Sequence, residues 1–440
     1  MVAGCSESHR PPNIVLLLVD TLRSDHVGCY GAAHDTSPTI DALAAEGIRF
    51  AQAHSTAPWT SPSVASILTG QFPSGHGLKE PLTGLADEVL TLAEMLRAEG
   101  YQTGGIVSNP HLKAKYGFDQ GFDHYLESEA RNHKYVSTEG VTQQALGLLD
   151  EFEQSDKPFF LFILYFDPHY NYKRHPEYGF AAASAGKLKG GETIYKLRRM
   201  GPTLTPEEIG LIADIYDEEV RYTDAGIGRL LGSLRERKLY DDSVICFAAD
   251  HGEEFFERGW LGHSRTLYEE LLHVPFIIKA PQVTTARVVE TPVSLVSVTP
   301  TLLDLARGTR DLRNSLVPVL AGETLATRPI FSEVDFVPLT EKMKEKEAHK
   351  RTVLQGSHKL IVDGQSGVVE LYDLDTDPRE RNNLAGESPE LTHGLSVLLE
   401  HEANAARAGA VQGEAIVLSD EDLEVLKGLG YAGSGGGDHK

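Results

Sequence analysis

Three aspartates stand where apolar stretches of the chain end, and one of them is followed by a histidine. Asp20 ends NIVLLLVD, Asp167 ends KPFFLFILYFD, and Asp250 ends the apolar part of DSVICFAADHGEE. A single Asp in such a position can simply cap a loop. However, Asp250 followed by His251 and then a Gly favours a pair of metal ligands.

A threonine hydroxyl is the next side-chain group that could take part in a reaction. Thr60 lies in APWTSPSVASILTG, directly before a run of helix formers. Thr is a favoured helix cap, and Pro62 suits a first helical turn. On its own, Thr60 therefore indicates capping. Beside a metal ion, the same hydroxyl would be an activated nucleophile at the positive end of a helix dipole.

Strand-like and helix-like stretches alternate along most of the chain. Apolar runs predict buried strands, and 3.6-residue patterns predict helices. The predicted strands are 13–20, 101–109, 157–167, 242–254 and 274–281. The predicted helices are 37–47 with Ser37 as its cap, 90–100, 142–154 and 205–238.

This alternation predicts an α/β fold with a large, mainly parallel sheet and helices on both faces. Ligands of such sheets bind beyond the carboxyl ends of the strands, which is where the three aspartates stand. Three acids at one sheet edge indicate a site rather than scattered surface charge. The acidic run at residues 216–220 is predicted to mark a solvated helix face.

The pattern changes near residue 310, where short strands joined by turns predict a smaller antiparallel sheet. We therefore expect four regions. They are a flexible N-terminus (1–12), a catalytic domain (13–310), a C-terminal α+β subdomain (311–433) and a disordered tail (434–440).

Composition narrows the classes of partner. The formal net charge is −23, from 64 acidic and 41 basic residues. This balance argues against nucleic-acid binding and against broad adhesion to anionic membranes. A small anionic substrate stays compatible with it, because a metal ion supplies positive charge locally. The sequence does not indicate an oligomeric state.

The start of the chain, VAGCS, resembles a bacterial lipoprotein processing site with Cys5 as the acylated residue. The apolar segment that should precede such a site is missing from the sequence. A periplasmic or lipid-anchored location is expected if an upstream signal segment exists, and a cytoplasmic one otherwise. A membrane contact is expected only through Cys5.

Six motifs follow one another across roughly residues 13–385. They are PNIVLLLVDTLRSDHVGCYG, APWTSPSVASILTGQFPSGHG, FDPHYNY, AADHGEEF, GHSRTLYEELLHVPFIIKAP and ELYDLDTDPRERNNL. In this order they resemble the sulfatase family of the alkaline phosphatase superfamily. The resemblance implies an alkaline-phosphatase-like fold and one divalent metal ion at the sheet edge.

The resemblance also implies roles for individual residues. The implied metal ligands are Asp20, Thr60, Asp250 and His251, with Thr60 also the nucleophile. His169 and His263 match catalytic positions that bind the substrate oxyanion or protonate the leaving group. Asn109 and His111 are further candidates for substrate binding. One imidazole among carboxylates favours Mn²⁺ or Zn²⁺, while Ca²⁺ and Mg²⁺ stay open.

The chain departs from the family pattern at the nucleophile. Sulfatases carry C-x-P-x-R or S-x-P-x-R, whose first residue becomes formylglycine, whereas this chain has Thr60 and, in place of the Arg, Val64. Thr21 replaces the second Asp of the usual metal-binding pair. Formylglycine is therefore not expected, and the chain is similar to phosphonate monoester hydrolases and to phosphoglycerol and phosphoethanolamine transferases.

These departures favour a metal-dependent ester hydrolase that uses Thr60 and a covalent intermediate. Formylglycine hydrate has a second hydroxyl that expels sulfate, and Thr has none. A Thr adduct must be cleared by attack on its central atom, which is easier at phosphorus. Phosphate mono- or diesters, or phosphonate esters, are the expected substrates. The alternatives are a sulfuric ester hydrolase and an inactive binding protein that retains the fold.

Overall fold

The computed structural model describes residues 11–131, 136–339, 344–345 and 347–428. The strands are β1 (Asn13–Val19), β2 (Ile48–His54), β3 (Thr83–Gly84), β4 (Gln102–Val107), β5 (His124–Leu126), β6 (Phe159–Tyr165), β7 (Ser243–Ala249), β8 (Glu254–Phe255), β9 (Leu261–Gly262), β10 (His273–Lys279), β11 (Arg287–Val289), β12 (Val293–Ser294), β13 (Ile330–Phe336), β14 (Ala348–Gln355), β15 (His358–Asp363), β16 (Val369–Asp373) and β17 (Glu414–Ala415).

The helices are α1 (Pro38–Glu46), α2 (Thr60–Thr69), α3 (Pro73–His76), α4 (Leu92–Ala98), α5 (Thr138–Phe152), α6 (Ile194–Met200), α7 (Pro206–Glu236), α8 (Glu269–Leu272), α9 (Val298–Arg307), α10 (Val317–Leu320), α11 (Pro389–Ala406) and α12 (Asp420–Gly428). Among these helices, none has the length and apolar character to cross a bilayer. Cys5 and the predicted tail 434–440 lie outside the described residues, as does most of the predicted N-terminal segment.

The large sheet confirms the predicted α/β architecture. Its strand order is β11-β2-β10-β7-β1-β6-β4-β5, and β12 also pairs with β2. The central strand β1 pairs in parallel with β6 on one side and with β7 on the other. Strand β10 runs antiparallel to both of its neighbours, which an apolar run cannot reveal because burial carries no direction.

Burial explains why these strands occupy the centre. Every residue of β6 and β7 is buried, as is β1 after its first residue, so the strands are apolar on both faces. Two groups of helices pack against the sheet, one containing α1, α5 and α7 and the other α2, α4 and α9. The carboxyl ends of β1, β6 and β7 consequently lie side by side at one edge.

The N-terminus of α1 is capped differently from the prediction. Ser37 makes no capping hydrogen bond to this helix. Instead, the Asp224 carboxylate on α7 accepts hydrogen bonds from the backbone N–H groups of Thr39 and Ile40 at 3.0 and 2.9 Å. The prediction for Ser37 was therefore wrong, because a residue distant in the sequence satisfies the first free N–H groups of α1.

The acidic run on α7 is also buried, contrary to the predicted solvated face. Asp217, Glu218 and Glu219 are each at most 5% exposed. The two oxygens of Glu218 accept hydrogen bonds from the backbone N–H groups of His175 and Ala181 at 2.9 and 3.0 Å. Glu218 thus holds the segment between β6 and α6 against α7, and Asp217 bonds instead to His26 and His34.

A second, four-stranded antiparallel sheet has the order β13-β14-β15-β16, as the C-terminal pattern predicts. Helix α11 packs on it through Leu395, Leu399 and Ala403. A buried lysine of β15, Lys359, bonds to Glu269 of α8 at 2.6 Å and so connects this sheet to the larger unit. The boundary at residues 310 and 311 stays a prediction.

Helix α12 packs against residues of the predicted catalytic domain, near the start of α2. Leu426 is buried in a cluster with Trp59, the residue before α2. Tyr195 of α6 donates a hydrogen bond from its hydroxyl to the Lys427 carbonyl at 2.6 Å. The described end of the chain therefore packs beside the start of α2.

Candidate metal centre and active site

Four side chains meet at the carboxyl edge of the central strands. Asp20 and Asp250 directly follow β1 and β7, His251 comes next, and Thr60 begins α2. All four are fully buried. Oγ1 of Thr60 lies 3.5 Å from both carboxylate oxygens of Asp20 and 3.4 Å from Nε2 of His251. The structure thus brings together every residue predicted to bind the metal.

The spacing of these atoms fits a shared cation. Nε2 of His251 lies 3.6 Å from Oδ1 of Asp20 and 3.6 Å from Oδ2 of Asp250. Ligands arranged tetrahedrally at bond lengths of about 2.1 Å lie about 3.4 Å apart. The observed separations are close to this value and longer than good hydrogen bonds. Asp20, Asp250 and His251 together therefore form a set that can hold one metal ion.

Burial disfavours the ionised forms of the Asp20 and Asp250 carboxylates, which a nearby positive charge would stabilise. Burial and the charge of Asp250 raise the pKa of Asp20 well above its usual range. Burial likewise raises the pKa of Asp250. Oδ1 of Asp250 accepts hydrogen bonds from the backbone N–H groups of His251 and Thr21, at 2.8 and 3.2 Å, but Oδ2 has no hydrogen-bond partner among the described residues. A divalent cation would stabilise both ionised groups.

Thr21 occupies the place of the missing second aspartate. Its φ of 56° is left-handed, a strained conformation for a β-branched residue. This conformation accompanies the backbone N–H bond to Asp250. The Thr21 hydroxyl is buried and has no hydrogen-bond partner within the described ranges. Thr21 therefore contributes its backbone N–H to Asp250, and its side chain carries no charge.

Asn109 contacts both the nucleophile candidate and a metal-ligand candidate. Its Oδ1 accepts the backbone N–H of His111 at 2.8 Å, which sets the orientation of the amide. Nδ2 consequently faces Asp20 at 2.5 Å and Thr60 at 3.1 Å. We predicted Asn109 as a substrate contact, and the structure places it against Thr60 itself.

His111 lies on the other side of the same turn. Its ring is buried, perpendicular to Trp59 at 6.2 Å and tilted against Tyr116 at 6.0 Å. It thus packs against Trp59, the residue directly before the nucleophile candidate. Its role in substrate binding stays a prediction.

His169 and His263 form a ring pair beside the metal-ligand candidates. Their centroids are 4.9 Å apart, and the His263 ring is 4.6 Å from that of His251. Nδ1 of His169 bonds to the Tyr170 carbonyl at 2.7 Å. Because a carbonyl only accepts, the hydrogen resides on Nδ1, and His169 presents Nε2 to its other surroundings.

Glu253 is a site residue that our sequence reasoning missed. Its Oε1 accepts Nδ1–H of His263 at 2.8 Å, and its Oε2 accepts the Tyr172 hydroxyl at 3.1 Å. The side chain is fully buried. A carboxylate behind an imidazole fixes its ring and tautomer, so Glu253 positions His263. The only signal was its place two residues after His251 in DHGEE.

Asp167 stands at the end of β6, as expected, but turns away from the site. Its Oδ2 accepts backbone N–H groups from Ser137 and Thr138 at 2.9 and 2.8 Å, and their hydroxyls at 3.2 and 2.7 Å. This carboxylate caps α5. Of the three aspartates expected at one edge, two therefore face the metal-binding position.

A second group of metal-binding residue types consists of His34, Asp214 and Asp217. Here Asp217 bonds directly to His34 Nδ1 at 2.8 Å and to His26 Nδ1 at 2.5 Å. These are hydrogen-bond distances rather than the wider spacing seen around Thr60. The group is satisfied by its own hydrogen bonds.

The chain matches two family models. Residues 12–309 match the model described as Sulfatase, and residues 256–404 match the one described as N-sulphoglucosamine sulphohydrolase, C-terminal.

Two curated relatives are sulfatases by name. The ulvan-active sulfatase of Formosa agariphila is 26% identical, and the match covers 67% of this chain and 61% of that protein. The N-acetylglucosamine-6-O-sulfatase of Bacteroides thetaiotaomicron is 24% identical over 88% of this chain and 86% of that protein.

A solved structure shows the same fold. The phosphonate monoester hydrolase of Agrobacterium radiobacter has a TM-score of 0.72 and 22% identity, and covers 90% of this chain and 96% of its own. Members of this family are metal-dependent hydrolases of sulfate or phosphate esters. The first family model spans more than half of the sequence. The chain therefore belongs to the sulfatase family within the alkaline phosphatase superfamily.

Proposed function

We propose that the chain hydrolyses phosphate mono- or diesters, or phosphonate esters, with Thr60 as the nucleophile. The position of the Thr60 hydroxyl carries this proposal. It lies 3.4 to 3.5 Å from His251 and Asp20, where a cation held by the two aspartates and the histidine would contact it. It also begins α2, whose dipole favours negative charge by roughly 0.3–1 kcal/mol.

Asp20, Asp250, His251 and Thr60 would hold one divalent cation. Three oxygen-bearing side chains and one imidazole favour Mn²⁺ or Zn²⁺, with Ca²⁺ and Mg²⁺ as alternatives. A cation bound there would favour the deprotonated Thr60 hydroxyl and neutralise the oxygens of the ester.

The side chains supply the remaining chemistry. Oγ1 of Thr60 forms a bond to phosphorus while the bond to the leaving oxygen breaks, and the hydroxyl proton passes to water. His169 and His263 present Nε2 to the ester, and a ring that is also protonated there can donate to the ester oxyanion or protonate the leaving oxygen. Water then attacks phosphorus, which releases the phosphate or phosphonate group and restores the Thr60 hydroxyl.

The single hydroxyl of Thr60 favours phosphorus over sulfur. Water clears a threonine phosphoester readily when positive charge surrounds the oxygens. A threonine sulfate ester lacks the second hydroxyl through which a formylglycine hydrate would expel sulfate. Sulfate ester hydrolysis is the second candidate, because the two curated relatives described above are named as sulfatases.

The test compares a matched aryl phosphate, aryl phosphodiester and aryl sulfate with purified protein supplied with Mn²⁺ or Zn²⁺. We expect a phosphorus ester to give the highest kcat/KM. Faster cleavage of the aryl sulfate than of both phosphorus esters would contradict the proposed preference.

The nucleophile is tested by Thr60→Ala, with Ser61→Ala as the control because it removes the neighbouring hydroxyl. Thr60→Ala should lower kcat by at least about 10³-fold, and Ser61→Ala by less than about threefold. Intact mass after rapid quenching should show a phosphoryl adduct on the wild type and none on Thr60→Ala. An unchanged adduct on Thr60→Ala would assign the covalent bond to another residue.

A further inference from the structure

Two guanidinium groups flank one indole ring beside the proposed active site. Cζ of Arg198 lies 4.4 Å from the centroid of Trp260, and Cζ of Arg265 lies 4.6 Å from it. Arg198 comes from α6, whereas Trp260 and Arg265 flank β9. All three side chains are half-buried. The arrangement concentrates two positive charges on one small surface of an acidic protein.

These charges are not neutralised by neighbouring acids. Neither guanidinium forms an ion pair with a carboxylate in the described part of the chain, and the side-chain partner beside the Arg198 guanidinium is the uncharged Tyr170. Burial lowers the pKa of Arg265, and repulsion from Arg198 lowers it further, against the opposing charges of Glu254 and Glu345. Burial also raises the pKa of Glu254 to about 7, which leaves that acid only partly ionised at neutral pH.

The pair borders the catalytic histidine candidates. Arg198 donates a hydrogen bond from Nε to the Leu261 carbonyl at 2.8 Å, and its guanidinium is 5.4 Å from the Tyr170 ring. That ring stacks on His263 at 5.1 Å. Hence Arg198 is separated from His263 by one aromatic ring.

Arg265 is anchored to the turn that carries the nucleophile candidate. The preceding residue, Ser264, donates its backbone N–H to the Pro58 carbonyl at 3.0 Å, two residues before Thr60. Both arginine side chains are half-buried, and Nη1 and Nη2 of Arg198 are buried.

We propose that Arg265, Trp260 and Arg198 form a subsite for a second oxyanion, carried on the alcohol part of the ester. This inference rests on the proposed ester hydrolysis. Arg265 contacts the anion through its planar fork, which matches a carboxylate, phosphate or sulfate in two parallel hydrogen bonds. Arg198 adds a second positive charge 4.4 Å from the same indole ring. The preferred substrates are therefore esters whose alcohol part is itself anionic.

The experiment compares phenyl, 3-carboxyphenyl and 4-carboxyphenyl esters of whichever acid the wild type releases fastest. Each substrate is assayed with wild type, Arg265→Met, Arg198→Met and the control Arg199→Met, an exposed neighbour with the same loss of charge. Variant-to-wild-type ratios are compared within each substrate, so differences in leaving-group reactivity cancel.

Arg265→Met and Arg198→Met should lower kcat/KM for at least one carboxyphenyl ester by about 10- to 100-fold, mainly through KM. Phenyl ester hydrolysis should change by less than about threefold in both, and Arg199→Met should change neither substrate. Arg265→Lys should retain part of the preference. Equal losses on phenyl and carboxyphenyl esters, or no loss on either, would overturn the subsite.

A separate binding measurement keeps the subsite and the proposed reaction distinguishable. If the wild type hydrolyses no ester, the reaction is refuted, and calorimetry with 3- and 4-hydroxybenzoate tests the subsite alone. Binding to wild type and Arg199→Met that weakens in Arg265→Met supports the subsite. Absence of binding to wild type, or equal binding to all three proteins, overturns it.

Discussion

Three histidine rings at the site are oriented in the same way, because each donates a hydrogen bond from Nδ1–H. The acceptors are the Gly252 carbonyl for His251, the Tyr170 carbonyl for His169 and the Glu253 carboxylate for His263. All three acceptors require a hydrogen on Nδ1, so Nε2 is the atom that each ring offers to its function. For His251 that atom faces Asp20 and Thr60.

Glu253 should therefore matter for rate without touching substrate. We expect Glu253→Gln to lower kcat by about 10- to 100-fold, with a smaller change in KM, because it weakens the orientation of His263. Steady-state kinetics on the phenyl ester, whose alcohol part carries no charge, measures this effect. The control is Glu254→Gln, an equally conservative change at the next residue, whose carboxylate bonds to Thr266 instead. Equal effects of the two substitutions would contradict a positioning role for Glu253.

At the level of secondary structure, α1 depends on α7 for its start. Asp224 is fully buried and accepts the N–H groups of Thr39 and Ile40, and burial raises its pKa to about 6. The pKa in the folded state is thus above that of an ordinary aspartate. Protonation of Asp224 therefore favours the folded state, and this stabilisation is complete at low pH and is lost as pH rises through about 6.

The matching prediction compares wild type with Asp224→Asn, which keeps an acceptor for α1 but does not titrate. The free energy of unfolding of wild type relative to this variant should fall by about 2 kcal/mol between about pH 4 and pH 7. Urea unfolding at several pH values measures it. A difference that stays constant, or grows with pH, would show that Asp224 does not carry a raised pKa.

Elements whose burial is uniform were predictable from sequence, and elements that depend on distant partners were not. β1, β6 and β7 were predicted because each is a continuous apolar run between charged residues. β2 was not, since its sequence IRFAQAH is only partly apolar. The cap of α1 and the burial of residues 216–220 also escaped prediction, because their hydrogen-bond partners lie far away in the chain.

The same distinction applies to the site. Strand ends and family motifs predicted Asp20, Thr60, Asp250 and His251 as neighbours, and the structure brings them together. Glu253 could not be assigned, because an acid in a charged stretch normally indicates solvent exposure. The position of Asn109 against Thr60 depends on how its amide is oriented by His111, a contact that spacing alone does not express.

For the whole molecule, one buried lysine joins the small sheet to α8, the helix directly before β10 of the large sheet. Lys359 of β15 bonds to Glu269 and Glu380 at 2.6 and 2.8 Å and is 1% exposed. Removing the cation would leave two buried carboxylates together. We expect Lys359→Met to lower the free energy of unfolding by about 3–5 kcal/mol.

Thermal and denaturant unfolding measure this loss. The control is Lys350→Met on β14, which removes a partly exposed pair with Asp363 at 2.9 Å and should cost about 0–1 kcal/mol. Similar losses in both variants would mean that Lys359 does not stabilise the junction between the small sheet and α8.

The position of α12 determines when one side of the site can form during translation. The turn that carries Thr60 packs through Trp59 against Leu426, and Tyr195 bonds to the Lys427 carbonyl. During translation, the nucleophile leaves the ribosome long before the helix that packs beside it. A nascent chain thus cannot assemble this flank of the site until residues 420–428 have left the exit tunnel, more than 350 residues after Thr60.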